Sequence, residues 1–321
     1  MFQQKTVAMI NTDFKSIRDL VKAFPTEQVC IDHLERLRWN GNVVSPFDAT
    51  SKVYKCAGNK YKCKNTGKYF NVRTATLFDN TKIELQTWFI AIYLLTGHKK
   101  GISSLQLAKD LDVTQKTAWF MAQRIRNCFG ISGADIDEDG KLGGGGQIVE
   151  VDETYVGGKM KNMTHKKRKA IGNKGANANK HMVMGYLARG GNIKLQYVAD
   201  RTAIFKSVLD NVSTDSVLVT DMNGSYHFAN NHFAAHETVD HVRKEYVRDG
   251  VVYTNSIEGV FSHFDRMVIG TYHYISPKHM QKYADEMSFR YNTRDSSMQH
   301  RFNIMLLNST NKLTYNALIS E

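Results

Sequence analysis

The chain has 321 residues, 42% of them hydrophobic, which is enough for two or three domains with sizeable cores. No apolar run approaches the roughly 18 residues of a membrane span, and the opening MFQQKTVAMINTDF lacks the apolar stretch of a secretion signal, so a cytoplasmic, nucleoid-associated protein with no membrane partner is expected. A net charge of +12 and a pI near 9.4 favour a polyanionic partner over a small-molecule substrate, and Cys30, Cys56, Cys63 and Cys128 are too scattered for a disulfide framework.

Residues 13–24 carry Phe14, Ile17, Leu20, Val21 and Phe24 at helical spacing. Pro25 and Thr26 punctuate, and Val29, Ile31, Leu34 and Leu37 continue a second helix to about Trp39, so residues 1–40 form a helical front. Residues 41–80 read as short strands and turns, basic and aromatic. Residues 82–96 form an apolar helix. Ser103 or Ser104 then caps a helix carrying Leu105, Leu107, Ala108 and Leu111, the turn DVTQ follows, and a further helix carries Trp119, Phe120, Ile125 and Phe129. Helix, tight turn and helix suit a helix-turn-helix, whose second helix can enter the DNA major groove, although any helical hairpin shares the pattern. On that reading residues 81–132 bind DNA through Thr114, Gln115, Lys116, Thr117 and Arg124.

An acidic stretch, ADIDED at 134–139, and glycines 143–146 mark a linker over 133–147. The pattern then changes. QIVEVDETYVGG, HMVMGYLAR and IKLQYVAD read as strands, a helix spans about 202–212, SVLVTD is another strand, and helices begin near Asn255 and Lys278. Residues 148–296 therefore predict an α/β domain with a mixed sheet, followed by a helical tail over 297–321.

Asp152 and Asp221 sit at or near strand ends, 69 positions apart. A strand-end acid is often a turn residue or a helix cap, but acids on adjacent strands can also converge on one side of a sheet. Hard divalent cations take oxygen ligands, and a pair of them can drive in-line phosphoryl transfer. Asn255 and Glu258, spaced i, i+3 on one helical face, offer further oxygens. Between the acids, residues 159–181 hold eight Lys or Arg and no Asp or Glu. Lys166, Lys167, Arg168 and Lys169 are there expected to clamp the DNA backbone, the alternative being a solvated loop. GNKGANANK at 172–180 lacks the Gly-Lys-Ser/Thr ending of a phosphate loop. His273, His279, Arg290 and Asn292 are candidates either for packing or for a role near the DNA.

The strings VEVDETYVGGK, TDMNGSY, TNSIEGVFSHFDR, GTYHYISPKHMQKYADEMSFRYNTR and RWNG…YKCKNTGKYFNVRTATLFDNTKI resemble those of bacterial insertion-sequence transposases that join a zinc ribbon and a helix-turn-helix to an RNase H-like catalytic domain. The resemblance spans about residues 15–295. It implies an RNase H-like mixed-sheet domain, preceded by helical, degenerate zinc-ribbon (41–80) and helix-turn-helix modules. It implies Asp152 and Asp221 as the first two catalytic acids and places Asn255 in the third slot. Glu258 follows one turn later, and charge favours it as the anionic ligand. Two Mg²⁺ ions are implied, with Mn²⁺ able to substitute. The implied partners are double-stranded DNA, at the element's terminal inverted repeats and at the target, and at least one further copy of the chain to synapse two ends. Two rivals are a nuclease or resolvase that cuts without joining and a decayed or repurposed DNA-binding copy.

Two departures stand out. Asp265 occupies a position where relatives carry Lys, leaving the phosphate contact to Arg266. The ribbon's metal-binding pairs read SPFD at 45–48 and CKNT at 63–66, so only Cys63 remains of the four thiols, and neither Cys56 nor His33 has the spacing to stand in. A ribbon-like fold without zinc is expected, held by Tyr54, Tyr61, Tyr69, Phe70 and Phe78.

Overall fold

The computed structural model describes residues 14–130, 140–158, 160–172, 179–239 and 253–320. The acidic stretch at 134–139, residues 173–178 of the basic loop and the side chain of Lys167 lie outside the described residues. Contacts divide the chain into two compact units, Met1–Phe129 with Asp295–Glu321, and Gly130–Arg294. No helix among the described residues is long and apolar enough to cross a membrane.

The first unit opens with α1 (Ile17–Ala23) and α2 (Glu27–Trp39), followed by a three-stranded antiparallel sheet, β1 (Val53–Cys56), β2 (Lys60–Cys63) and β3 (Tyr69–Phe70). Then come α3 (Leu85–Gly97), α4 (Ser104–Leu111) and α5 (Gln115–Arg126). The hydroxyls of Ser16, Thr26, Ser103 and Thr114 accept amide bonds at the starts of α1, α2, α4 and α5, which is why these helices begin there. Asp112 adopts the left-handed conformation at the end of α4 and turns the chain into α5. The sheet buries Tyr61, Cys63 and Phe70, and Trp39 packs edge-on against the Tyr61 and Phe70 rings at 5.2 and 6.1 Å.

In the second unit β4 (Ile148–Val156) is followed by α6 (His165–Ile171), β5 (His181–Ala188), β6 (Ile193–Val198), α7 (Ile204–Asn211), β7 (Val217–Asp221) and β8 (Ala235–Val239), then α8 (Asn255–Met267) and α9 (Met280–Asn292). The sheet order is β6-β5-β4-β7-β8, with β6, β5 and β4 antiparallel and β7 and β8 parallel to β4. One face packs Val149, Val151, Met184, Tyr186 and Leu218 against α7 residues Ile204 and Val208. The other packs Val183, Leu187 and Leu195 against Ile257, Phe261 and Phe264 of α8 and Met280 and Met287 of α9. The edge strand β6 is covered rather than left open. Gln281, Ser288 and Asn292 along α9 bond the backbone of Tyr197, Leu195 and Ile193, so helix side chains stand in for a missing strand. The glycine run is tied down as well: Leu142 bridges Val212, and the Gly144 amide donates to Ser216 Oγ at 2.8 Å. The strand β8 has no counterpart among the elements expected from sequence, because AHETV is short and mostly half-buried and carries no apolar run.

The chain returns to the first unit with α10 (Met298–Leu307) and α11 (Tyr315–Ser320). Phe302 of α10 meets Phe14 and Phe89 with ring centroids 5.3 Å apart, so the tail is part of that unit's aromatic core. His33 lies in the same core, 5.0 Å from the Phe24 ring, with neither ring nitrogen hydrogen-bonded. Burial, with the nearby Arg36 charge, pushes its pKa down to about 4.

Candidate active site

The register of the parallel pair decides where the acids meet. Ile148, Val149 and Glu150 of β4 lie beside Val217, Leu218 and Val219 of β7, an offset of 69. The same offset carries Asp152 to Asp221. Because side chains alternate along a strand, both aspartates project on the sheet face that α8 covers, the face shared by Glu150 and Val219. Asn255 opens α8 and Glu258 lies in its first turn, both exposed. Burial raises the Asp152 carboxyl to about 8; the Glu153 amide opposes the rise, and the negative charges of Glu153, Asp221 and Glu258 add to it. The negative charges of Glu153, Asp221 and Glu258 thus gather around Asp152. Among the described residues no three His, Cys, Asp or Glu side chains are grouped closely enough to hold a metal ion together. The carboxylate oxygens are the donor chemistry that a hard divalent cation takes.

Six further residues, absent from the sequence reading as site elements, surround the two aspartates. Glu150, completely buried on β4, takes the Arg189 Nε at 2.8 Å and accepts the backbone amide of Ile257 at 3.0 Å. Arg189 also donates to the Tyr253 carbonyl at 2.7 Å and stacks 3.7 Å from the Tyr253 ring centroid. A strand carboxylate thereby caps the start of α8 two residues from Asp152. Gly185 sits opposite Asp152 on β5, and a Cβ there would lie 2.7 Å from Ile257 and 2.8 Å from Phe261. Its missing side chain is the space into which α8 descends. On the other sheet face Glu153 accepts from Tyr226 Oη at 2.6 Å and from Asn223 at 3.1 Å, while the Asn223 amide donates to Asp221. This bond set ties the loop after β7 to β4. The polar strand residues Glu150 and Glu153, flanking Asp152 in an otherwise apolar strand, were the available signal.

The expected DNA-contacting residues separate into two groups. Thr114, Gln115 and Lys116 are exposed at the start of α5, with Thr117 half-buried beside them; Gln115 reaches Ser104 of α4 and Lys116 lies over the Tyr315 ring. Arg124 belongs elsewhere. It is buried, and its guanidinium donates to the carbonyls of Leu77 and Leu313, each at 3.0 Å, so it is a structural residue of the first unit. Lys166, Arg168 and Lys169 are exposed on α6. Arg266 is exposed on α8, on the face of Asn255 but about three turns away, roughly 16 Å along the axis. His279 and Arg290 are buried, and Arg290 pairs with Glu286 at 2.6 Å, while Asn292 covers the β6 edge. These three serve packing.

In the small sheet the metal-pair positions do come together. Burial raises the Cys63 thiol, and hydrogen bonds from the Ser45, Ser51 and Thr66 hydroxyls and the Thr66 amide outweigh it, bringing the pKa down to about 6. Asp48 is held by Asn65 and Thr50, both at 2.7 Å. One thiol, hydroxyls and a carboxylate are a poor match to the Cys and His set of structural zinc. Tyr54 and Tyr69, expected to hold this module, are 43% and 59% exposed; Tyr61 and Phe70 do the holding, while the buried Phe78 packs against Trp88 and Phe89 of α3. Alternation explains it: Tyr54 and Tyr69 pair with Lys62 on the outer face, while Tyr61 and Phe70 face inward.

Residues 141–292 match the ISXO2-like transposase domain. The matched region covers the sheet, both aspartates and α8, and is similar to that transposase family. Over 140 residues the chain is 27% identical to an uncharacterized protein in transposable element ISH50 of Halobacterium salinarum, a match covering 42% of this chain and 44% of the relative. No solved structure matches.

Proposed function

We propose that this chain is the transposase of an insertion sequence, binding the element's ends and catalysing metal-dependent cleavage and strand transfer. The offset of 69 in the β4–β7 pairs, extended to Asp152 and Asp221, with Asp221 and Glu258 near enough to act on the Asp152 carboxyl, in a region that matches a transposase domain, carries the reading. The strand order, with three antiparallel strands and two further parallel ones, suits an RNase H-like domain. Asp152, Asp221 and Glu258, with Asn255 alongside, would hold two Mg²⁺ ions, Mn²⁺ substituting. Bound there, the metal would activate the attacking oxygen and stabilise the leaving one. With its pKa raised to about 8, the Asp152 carboxyl would favour the protonated form at neutral pH, and holding a metal there would displace a proton from it. Glu150 and Arg189 hold the α8 start against β4. The exposed start of α5 and the cations of α6, including Lys167, contact DNA, whose backbone binding weakens with salt. A second copy of the chain holds the second end. Zinc has no role in this scheme.

The test is Mg²⁺-dependent nicking of DNA bearing the element's ends, followed by joining to a target plasmid. Asp152→Asn and Asp221→Asn should each reduce nicking by about a thousandfold or more, in line with loss of an essential electrostatic group. Calorimetry of Mg²⁺ binding in two buffers of different ionisation heat should report proton release in wild type and none in Asp152→Asn. Full nicking by either variant refutes the site; nicking without joining reassigns the chain to a nuclease.

A further inference from the structure

The outer face of the small sheet is unlike a generic solvated surface. Tyr54 of β1, Lys62 of β2 and Tyr69 of β3 are direct cross-strand neighbours, forming one row across all three strands. Lys62 Nζ lies 5.5 Å from the Tyr69 ring centroid, and Lys52 Nζ lies 5.5 Å from that of Tyr54. Between Asp48 and Asp79 the chain carries seven Lys or Arg and no acid. The opposite face is spent on the Trp39–Tyr61–Phe70 cluster, so the two exposed rings contribute nothing to that core.

We propose that this face binds unpaired DNA, with bases stacking on Tyr54 and Tyr69 and the phosphate between them held by Lys62. It rests on the reading of the chain as a DNA-acting protein. Two strand spacings separate the rings by about 10 Å. Bases in a duplex are stacked on each other about 3.4 Å apart and present no free faces along its length. A platform of two separated rings with a cation between them therefore fits a strand whose bases are unstacked, while the lysine surplus supplies the salt-dependent attraction that any strand feels. A transposase generates such strands where an element's end is opened.

The test needs neither metal nor cleavage. Full-length Asp152→Asn chain in EDTA is titrated onto fluorescein-labelled oligo-dT, onto an abasic oligonucleotide of the same length, and onto a hairpin duplex. Tyr54→Ala and Tyr69→Ala should each weaken oligo-dT binding by about tenfold or more, the scale of one lost base stack. Tyr54→Phe and Tyr69→Phe should bind as the parent does. The abasic strand, which loses both stacks, should bind the parent more weakly than either alanine variant binds oligo-dT. Tryptophan emission, to which Trp39 beneath the sheet contributes alongside Trp88 and Trp119, should be unchanged in every variant. Equal binding of oligo-dT and the abasic strand overturns the inference, as does an equal loss on duplex and oligo-dT in the alanine variants. Either result leaves the catalytic reading standing if nicking by the wild-type chain persists; loss of nicking in Asp152→Asn bears only on the catalytic reading.

Discussion

Arg189→Met isolates the device that seats α8. In the folded chain Glu150 is completely buried, and its two oxygens are used by Arg189 Nε at 2.8 Å and the Ile257 amide at 3.0 Å. Replacing Arg189 leaves a buried carboxylate with that amide as its remaining partner among these two bonds. Breaking a buried pair in this way costs about 3–5 kcal/mol, because the charge stays behind without its counterion. Set against the roughly 5–15 kcal/mol that holds a domain folded, this is a large fraction. Adding Glu150→Gln should recover much of the loss: the neutral amide oxygen can still accept from Ile257, and only hydrogen bonds worth about 1 kcal/mol each remain missing. Trp39, Trp88 and Trp119 and all four cysteines lie in the first unit, so tryptophan emission and thiol labelling are blind to this change. Urea unfolding followed by far-UV circular dichroism, with amide exchange on a peptide covering 253–261, reads the right unit. Arg189→Met should speed exchange across the first turn of α8 and lower stability by several kcal/mol; the double variant should sit between it and wild type. A loss under about 1 kcal/mol, or a double variant as unstable as the sum of the singles, would refute the assignment of Glu150 as the charged cap of α8.

Three other outcomes follow from the same structure. Folding holds His33 neutral, its pKa pushed from 6.5 down to about 4. A depressed histidine pKa contributes stability that is present above about pH 6.5 and lost as pH falls toward 4, here up to roughly 3 kcal/mol. Tryptophan-monitored denaturation at stepped pH should show that loss, and His33→Leu should flatten the curve over the same window. Gly185→Val drives a branched side chain into Ile257 and Phe261, so it should lower stability by about 1–3 kcal/mol and reduce both nicking and Mg²⁺ affinity, because the shift of α8 carries Asn255 and Glu258 with it; unchanged nicking in a folded variant would count against close seating of α8. Ser45→Cys, Asp48→Cys and Thr66→Cys together complete four thiols around Cys63, and the purified triple variant should hold about one zinc per chain by atomic absorption, raising the melting temperature of the first unit, whereas the parent should hold well under one. A triple variant that takes up no zinc would show that these positions do not share one knuckle.

Much of this molecule was legible in the chain itself, because the governing interactions are local. Helix starts follow from Ser16, Thr26, Ser103 and Thr114, whose hydroxyls compete for amides a few residues away. The strands of the second unit announce themselves by apolar runs, and Asp152 and Asp221 stand out as acids at their ends. What no local rule supplies is which residues become neighbours. The offset of 69 between β4 and β7 aligns the two aspartates, but that number acquires meaning only once the strands are parallel and adjacent. Glu150 read as one more strand residue until Arg189 and the Ile257 amide closed on it from 39 and 107 positions away. Arg124 looked like a surface cation on a recognition helix; carbonyls from Leu77 and Leu313, far off in sequence, drew it inside. Tyr54 and Tyr69 matched Tyr61 and Phe70 in composition, and only strand pairing decided which rings face the core and which face solvent. Residue type and spacing set the elements and the available chemistry; register and long-range hydrogen bonds, which depend on the whole chain closing, chose which of those groups meet.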